Sequence, residues 1–304
     1  MSRCFRFVPI VLLLLACSGE SPGSQPQVAN AAQPEQSVCD VPHVTGRIPK
    51  SIREASGVAR GLTDPTVMWV LNDDGPPVLF ALDSTGSLRN RIAVRNARNV
   101  DWESLAAARC DTLNCLYIGD IGDNLYRRSS VRIYRIPEPR AGATDVGADA
   151  FEFHYPDGPH DAEALFLLPN EHVFVVTKGR REAISVYHYP GPLRNDSAMT
   201  LEPVQRLSES FVQLPEMVTG ASSTPDGRWI ALRTYSSVQL YHLVNGQLVP
   251  QLPGRGIALD TLHEPQGEGV DIAADGSIVL VSEEGLEEGM APLSRTACRL
   301  KSAE

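Results

Sequence analysis

Five short apolar runs punctuate the chain after residue 50: VMWVLN from Val67, CLYIGD from Cys115, VFVVTK from Val173, WIALRT from Trp229 and SIVLVS from Ser277. Each is rich in Val, Ile, Leu or aromatic residues and is bounded by turn residues, as expected of a strand buried on both faces. Ahead of each lies a run of smaller residues: SGVAR from Ser56, ESLAAA from Glu103, EALFLL from Glu163, TGASST from Thr219 and EGVDIA from Glu268. Pro225-Asp226-Gly227 and Ala274-Asp275-Gly276 join two of these pairs with hairpin chemistry. A third run follows each time: VLFALD, VRIYRI, ISVYHY, VQLYHL and APLSRT. In these, Phe80, Tyr134, Tyr187, Tyr241 and Ser294 hold one place at intervals of 54, 53, 54 and 53 residues. A repeat of that length, made only of strands, predicts an all-β fold: a five-bladed β-propeller of four-stranded antiparallel blades, one blade per repeat.

Outer strands are weaker in the pattern. Candidates are LRNRIAV from Leu88, FEFHY from Phe151, a segment near 201–207, and either 247–251 or 256–260 in the fourth repeat. Residues 138–150 read as loop. The fifth repeat stops at its third strand, so HVTGRIP at 43–49 is predicted to supply its outer strand and close the ring. One domain, 39–300, accounts for all five repeats.

The N-terminus has a different texture. Arg3 and Arg6 precede an apolar run from Phe7 to Leu15, too short to span a bilayer as a mature helix. Leu14-Leu15-Ala16-Cys17 resembles a bacterial lipoprotein signal, which implies removal of 1–16, acylation of Cys17 and a membrane partner through the N-terminal lipid. Ser18 in place of Asp fits sorting to the outer membrane, facing the periplasm or the cell surface. The stretch 17–38 is rich in Ser, Pro, Gln and Ala and reads as a flexible tether. Four cysteines then remain in an oxidising compartment. Cys110 and Cys115 flank a tight turn, and Cys39 and Cys298 lie near the two ends of the domain, so two disulfides with these pairings are expected.

The formal charge is −10, and loss of Arg3 and Arg6 with the leader takes it to −12. Such a surface repels nucleic acid, and no basic stripe interleaved with aromatics appears, so no nucleic-acid partner is expected. The acids have a pattern of their own. In a propeller, first strands start and second strands finish at the same mouth of the central channel. First strands start at Glu54/Ser56, Asp101/Glu103, Asp161/Glu163, Met217/Thr219 and Gln266/Glu268; second strands finish at Asn72-Asp73-Asp74, Asp120, Lys178, Arg233 and Glu283-Glu284. Glu103, Glu163 and Glu268 therefore share the innermost position. Carboxylates about 6 Å apart at an effective dielectric of 20 repel by about 2–3 kcal/mol per pair. These three are the candidate metal ligands, and an all-oxygen set favours a hard ion such as Ca²⁺. Asp101, Asp161, Lys178, Arg233 and Tyr235 are the candidate ligand-binding residues, facing an anionic small molecule or a protein partner. Trp102 and Tyr235 are placed to stack on a ligand. Asn72-Asp73-Asp74-Gly75, taken alone, reads as a solvated turn.

DWESLA, YIGDIGDN, YPDG with DAEAL, VTGASSTPDGRWIALRTY and PQGEGVDI together resemble a group of secreted bacterial β-propeller proteins, over about residues 52–295. An acid on the innermost strand of several blades is also distantly similar to calcium-binding propellers of the phytase-like, gluconolactonase-like and apyrase-like families. Their full catalytic signatures are absent, and no nucleophile elbow, H-E-x-x-H or phosphate-cradling loop occurs. The expectation is a lipid-anchored binding or scaffold module with a Ca²⁺-occupied mouth. The alternative is a Ca²⁺-dependent hydrolase of phosphoesters or lactones, with Lys178 and Arg233 meeting the anionic group and a metal-bound water as nucleophile. Cys17→Ala is expected to move the protein from the membrane fraction to the soluble one; unchanged membrane association in a cell-fractionation blot would contradict the anchor.

Overall fold

The computed structural model describes residues 39–194, 198–285 and 291–300. The leader, Cys17 and the tether lie outside the described residues. Among the described residues, twenty-three short strands make five small sheets, with one 3₁₀ turn, Asp260–Leu262, between them. Each sheet is one blade. Blade one is Ala55–Arg60, Met68–Asn72, Val78–Leu82 and Leu88–Arg95; blade two is Trp102–Cys110, Leu113–Asp120, Val131–Pro137 and Asp149–His154. Blade three is Ala162–Leu168, His172–Thr177, Ser185–Tyr189 and Glu202–Arg206. Blade four is Val218–Ser223, Ile230–Thr234, Ser237–Val244 and Gln247–Pro250. Blade five is Gln266–Ile272, Ser277–Glu283 and Pro292–Ala297, completed by His43–Arg47 from the other end of the chain. His43 lies opposite Arg295 and Arg47 opposite Pro292, so the predicted closure is present.

Blades one and two each carry a fifth strand that the repeat did not show, and blade four carries both of the segments offered as alternatives. Asp145–Gly147, inside the segment read as loop, runs parallel to Leu88–Arg95 of blade one, and Met199–Thr200 runs parallel to Asp149–His154 of blade two. In the fourth repeat both candidate segments pair with Ser237–Val244: Gln247–Pro250 along its second half and Ile257–Ala258 at its start. These additions are two to four residues long, too short for a period of two to register, and they cover outer strand edges that would otherwise be open.

The apolar core is divided into five parts, one per seam between blades. Trp69, Leu79 and Trp102 fill the seam between blades one and two. Tyr117, Phe153 and Val175 fill the next, and Phe166, Phe174 and Ile230 the third. Leu240, Val270 and Leu280 fill the fourth, and Val58, Phe80 and Val279 close the ring. Both faces of each second strand are therefore buried, which is why those strands read as continuous apolar runs. First strands need small residues because they converge. A Cβ on Gly57 would meet Leu105 N at 2.7 Å, and one on Gly220 would meet Glu268 O at 2.6 Å. Ser56 Oγ donates to Trp102 O at 2.6 Å and Thr219 Oγ1 to Glu268 O at 3.3 Å, tying neighbouring first strands together.

Both expected disulfides are present, Cys39–Cys298 and Cys110–Cys115. The first spans 259 residues and sits where the closing strand meets the last one. Loop-closure entropy gives about 5–6 kcal/mol for a loop of that length and about 2 kcal/mol for the short one. The Cys39→Ser/Cys298→Ser double variant is expected to lose about 2–5 kcal/mol in denaturant unfolding, and Cys110→Ser/Cys115→Ser less. Equal losses would mean that ring closure does not depend on the long bridge.

Candidate functional site

All five first strands begin with a break in register against their second strand: between Ala55 and Gly57, Trp102 and Ser104, Ala162 and Ala164, Val218 and Gly220, and Gly267 and Val270. The residues left unpaired include Ser56, Glu103, Glu163, Thr219 and Glu268. A bulge turns a side chain away from the alternation of its strand, and repeated five times around a ring it sets these residues at one equivalent position. All five are buried, with Glu163 and Glu268 each 2% exposed.

Lys178 finishes the second strand of blade three and reaches into this group. Its Nζ donates to Glu163 Oε1 at 2.5 Å and stands 5.9 Å from the centroid of the Tyr235 ring. Burial alone would lower its ammonium, but Glu163 holds it well above the usual lysine range. Glu163 is raised by burial and drawn back down by Lys178. Glu103 and Glu268 are pushed well above the carboxylate range, by burial first and by the charge of Glu163 second. Glu268 Oε1 accepts from Gln266 Nε2 at 2.8 Å, while its Oε2 has no hydrogen-bond partner. Burial also raises Asp101. Gly122 covers it and Glu103, since a Cβ there would meet Asp101 Cγ and Glu103 Oε1 at 2.5 Å each. Asp161 accepts from Arg180 Nη2 at 2.5 Å and from Asp123 N at 3.0 Å.

Two expected residues serve the framework instead. Arg233 is fully buried at the seam of blades four and five; it donates to Gly269 O at 2.7 Å and Val281 O at 2.9 Å and pairs with Glu264. Its charge is thus committed to a carboxylate 31 residues away in a connecting segment, for which no repeat position gave a signal. Trp102 has no exposed surface and donates Nε1 to Arg98 O at 3.0 Å, so it packs the seam between blades one and two. Tyr235 is half-buried against Lys178.

The rim holds what the sequence undervalued. Among the described residues, the one set of three or more metal-type ligands with atoms within 4.8 Å of one another is Glu54, Asp73 and Asp74 of blade one. Asp73 N donates to Glu54 O at 3.0 Å, which brings the start of the first strand and the finish of the second together. The apparent turn is therefore one half of a carboxylate cluster whose other half lies 19 residues earlier. Glu54 is pushed up to about 7, by its hydrogen bond with Asp74 and then by burial, and Asp73 to about 6, chiefly by burial. Glu283 is pushed up to about 8 by burial and then by Asp73 and Glu54. Beside them opens a cavity of about 430 Å³ lined by Lys50, Arg53, Glu54, Gln266, Glu283, Glu284 and Gly285.

No protein-family model matches the chain, and no curated protein matches it. Among solved structures, the PQQ-bound aldose sugar dehydrogenase of Streptomyces coelicolor superposes with a TM-score of 0.54 at 11% identity, over 88% of this chain and 100% of that one. A glucose dehydrogenase-type oxidoreductase of Thermus thermophilus covers 84% of this chain and 99% of that one at 8% identity, with a TM-score of 0.45. A gluconolactonase-family protein covers 88% of this chain and 91% of that one at 10% identity, also at 0.45. Likeness at these identities shows the propeller fold alone, and it rests on the first of the three.

Carboxyls whose folded-state values are raised hold protons that the unfolded chain has released. Their stabilisation is complete below about pH 4 and is lost as the pH climbs through 6 to 8. In EDTA, the melting temperature is expected to fall between pH 5 and 8.5, and Glu283→Gln to flatten part of that fall. A melting temperature constant across this range would show that the rim acids are not mutually strained.

Proposed function

We propose that this propeller is an extracytoplasmic binding module, lipid-anchored at Cys17, whose acidic rim binds a divalent cation. The observation that carries the reading is the convergence of Glu54, Asp73 and Asp74 within 4.8 Å, with the raised Glu283 beside them. Oxygens that close together can all stand 2.3–2.6 Å from one ion, the Ca²⁺–oxygen distance, and waters complete the six to eight ligands that Ca²⁺ takes. An all-carboxylate set without His or Cys suits Ca²⁺ better than Zn²⁺. A bound dication also offsets the burial and mutual repulsion that raise Glu54, Asp73 and Glu283, so cation binding and proton release are linked.

The hydrolase alternative is weaker for a specific reason. It leaned on Lys178 and Arg233 as free cations for an anionic substrate. Lys178 is held by Glu163 and Arg233 by Glu264, both out of solvent. What remains in its favour is that Glu283 and Glu54, with values of about 8 and 7, can carry a transferable proton near neutral pH.

Calcium at a hundredfold excess over Kd is expected to stabilise the fold by about 2.7 kcal/mol. Glu54→Gln and Asp73→Asn are each expected to weaken that response about tenfold or more, whereas Glu152→Gln, on the fourth strand of blade two, leaves it unchanged. A thermal melt indifferent to both EDTA and millimolar Ca²⁺ would overturn the metal-binding reading.

A further inference from the structure

Lys178 stands where the sequence pattern called for a metal ion. Three buried glutamates from three blades, Glu103, Glu163 and Glu268, hold the innermost repeat position, and Lys178 pairs with one of them, Glu163. The ammonium donates and the carboxylates can only accept. Glu163 Oε1 accepts at 2.5 Å and the Tyr235 face lies 5.9 Å from Nζ. The buried Glu268 Oε2 has no partner. The stem is fixed at its root, because Lys178 N donates to Asp161 O at 2.8 Å and Lys178 O accepts from Val218 N at 3.0 Å. The side chain therefore leaves the seam of blades three and four in one direction, toward the channel.

We propose that the propeller axis is a binding site for a single primary ammonium group, which this chain fills with its own Lys178, and that an external primary alkylammonium takes the place when the lysine is shortened. An aromatic face belongs to the recognition of an organic cation and contributes nothing to a Ca²⁺ shell, which takes six to eight oxygens. An ammonium is a compact point charge with three donors; a guanidinium is planar and presents five in a rigid fork. One short contact to Glu163, with Glu268 Oε2 open to a second donor, matches the compact head. The inference uses different residues from the rim cluster of Glu54, Asp73 and Asp74 and stands or falls separately from it.

The test is chemical rescue of Lys178→Ala by n-propylammonium, read as melting temperature against concentration, with sodium at equal ionic strength as reference. The variant is expected to rise and saturate while the wild type does not move. Tetramethylammonium, which has no N–H donors, is expected to behave as sodium does. Adding Glu163→Gln to Lys178→Ala is expected to abolish the response. Equal shifts with n-propylammonium and sodium would overturn the proposal. So would a Ca²⁺ shift larger in the variant than in the wild type with no alkylammonium response, which would make the axis a metal site. Should Lys178→Ala not fold unaided, its refolding yield from denaturant is expected to be several-fold higher in n-propylammonium than in sodium, and equal yields would overturn the proposal just as plainly. Lys178→Met, which keeps the stem volume and loses the charge, is expected to show no rescue; a rescue as large as that of the alanine variant would mean that the amine acts elsewhere.

Discussion

Converging five first strands on one channel brings their starting residues together, and any charge there must be balanced where water is scarce. Glu103, Glu163 and Glu268 come from blades two, three and five and cannot be separated without opening the ring. Removing one partner of a buried pair such as Lys178–Glu163 typically costs about 3–5 kcal/mol, whereas exposed pairs are worth at most about 1 kcal/mol. Lys178 and Glu163 both belong to blade three, so this pair ties the start of its first strand to the end of its second. Ser56 and Thr219, the uncharged members of the same ring position, turn their hydroxyls onto the backbone of the next blade and leave the channel's charge to the other three.

The second organising feature is the division of the core among five seams. Each seam is closed by two blades, so the ring has no free face only if the fifth seam is as well filled as the others. Val58, Phe80 and Val279 fill it from both sides of the closure. His43–Arg47 and the Cys39–Cys298 bridge hold the outer edge of blade five, which would otherwise be a bare strand. Arg233 does similar work between blades four and five by bonding to the backbone of Gly269 and Val281.

Much of this was legible in the residues, for identifiable reasons. Strands buried on both faces leave apolar runs, and a strict 53–54 residue spacing leaves markers such as Tyr134, Tyr187 and Tyr241, so blade number and closure could be counted. The disulfides followed from an even number of cysteines and a missing strand. Pairings across the ring were not legible. Nothing in the sequence near Arg233 points to Glu264, whereas the repeat placed Lys178 at the same mouth as Glu163 without saying which acid it would meet. Asp73 and Asp74 looked like a turn because their partner, Glu54, belongs to another strand. The fifth strands of blades one and two escaped because Asp145–Gly147 and Met199–Thr200 are too short to carry a pattern.

The long disulfide also gives the ring a direction. Third strands finish at the end of the channel away from the acids, and Cys298 follows the third strand of blade five there, paired with Cys39. The polypeptide thus joins the propeller on the side opposite the carboxylate rim. Cys110–Cys115, at the turn from a first strand to a second, sits at that same far end. Both covalent bridges therefore stiffen one end of the channel, and the carboxylate end is left to be shaped by hydrogen bonds and ion pairs alone.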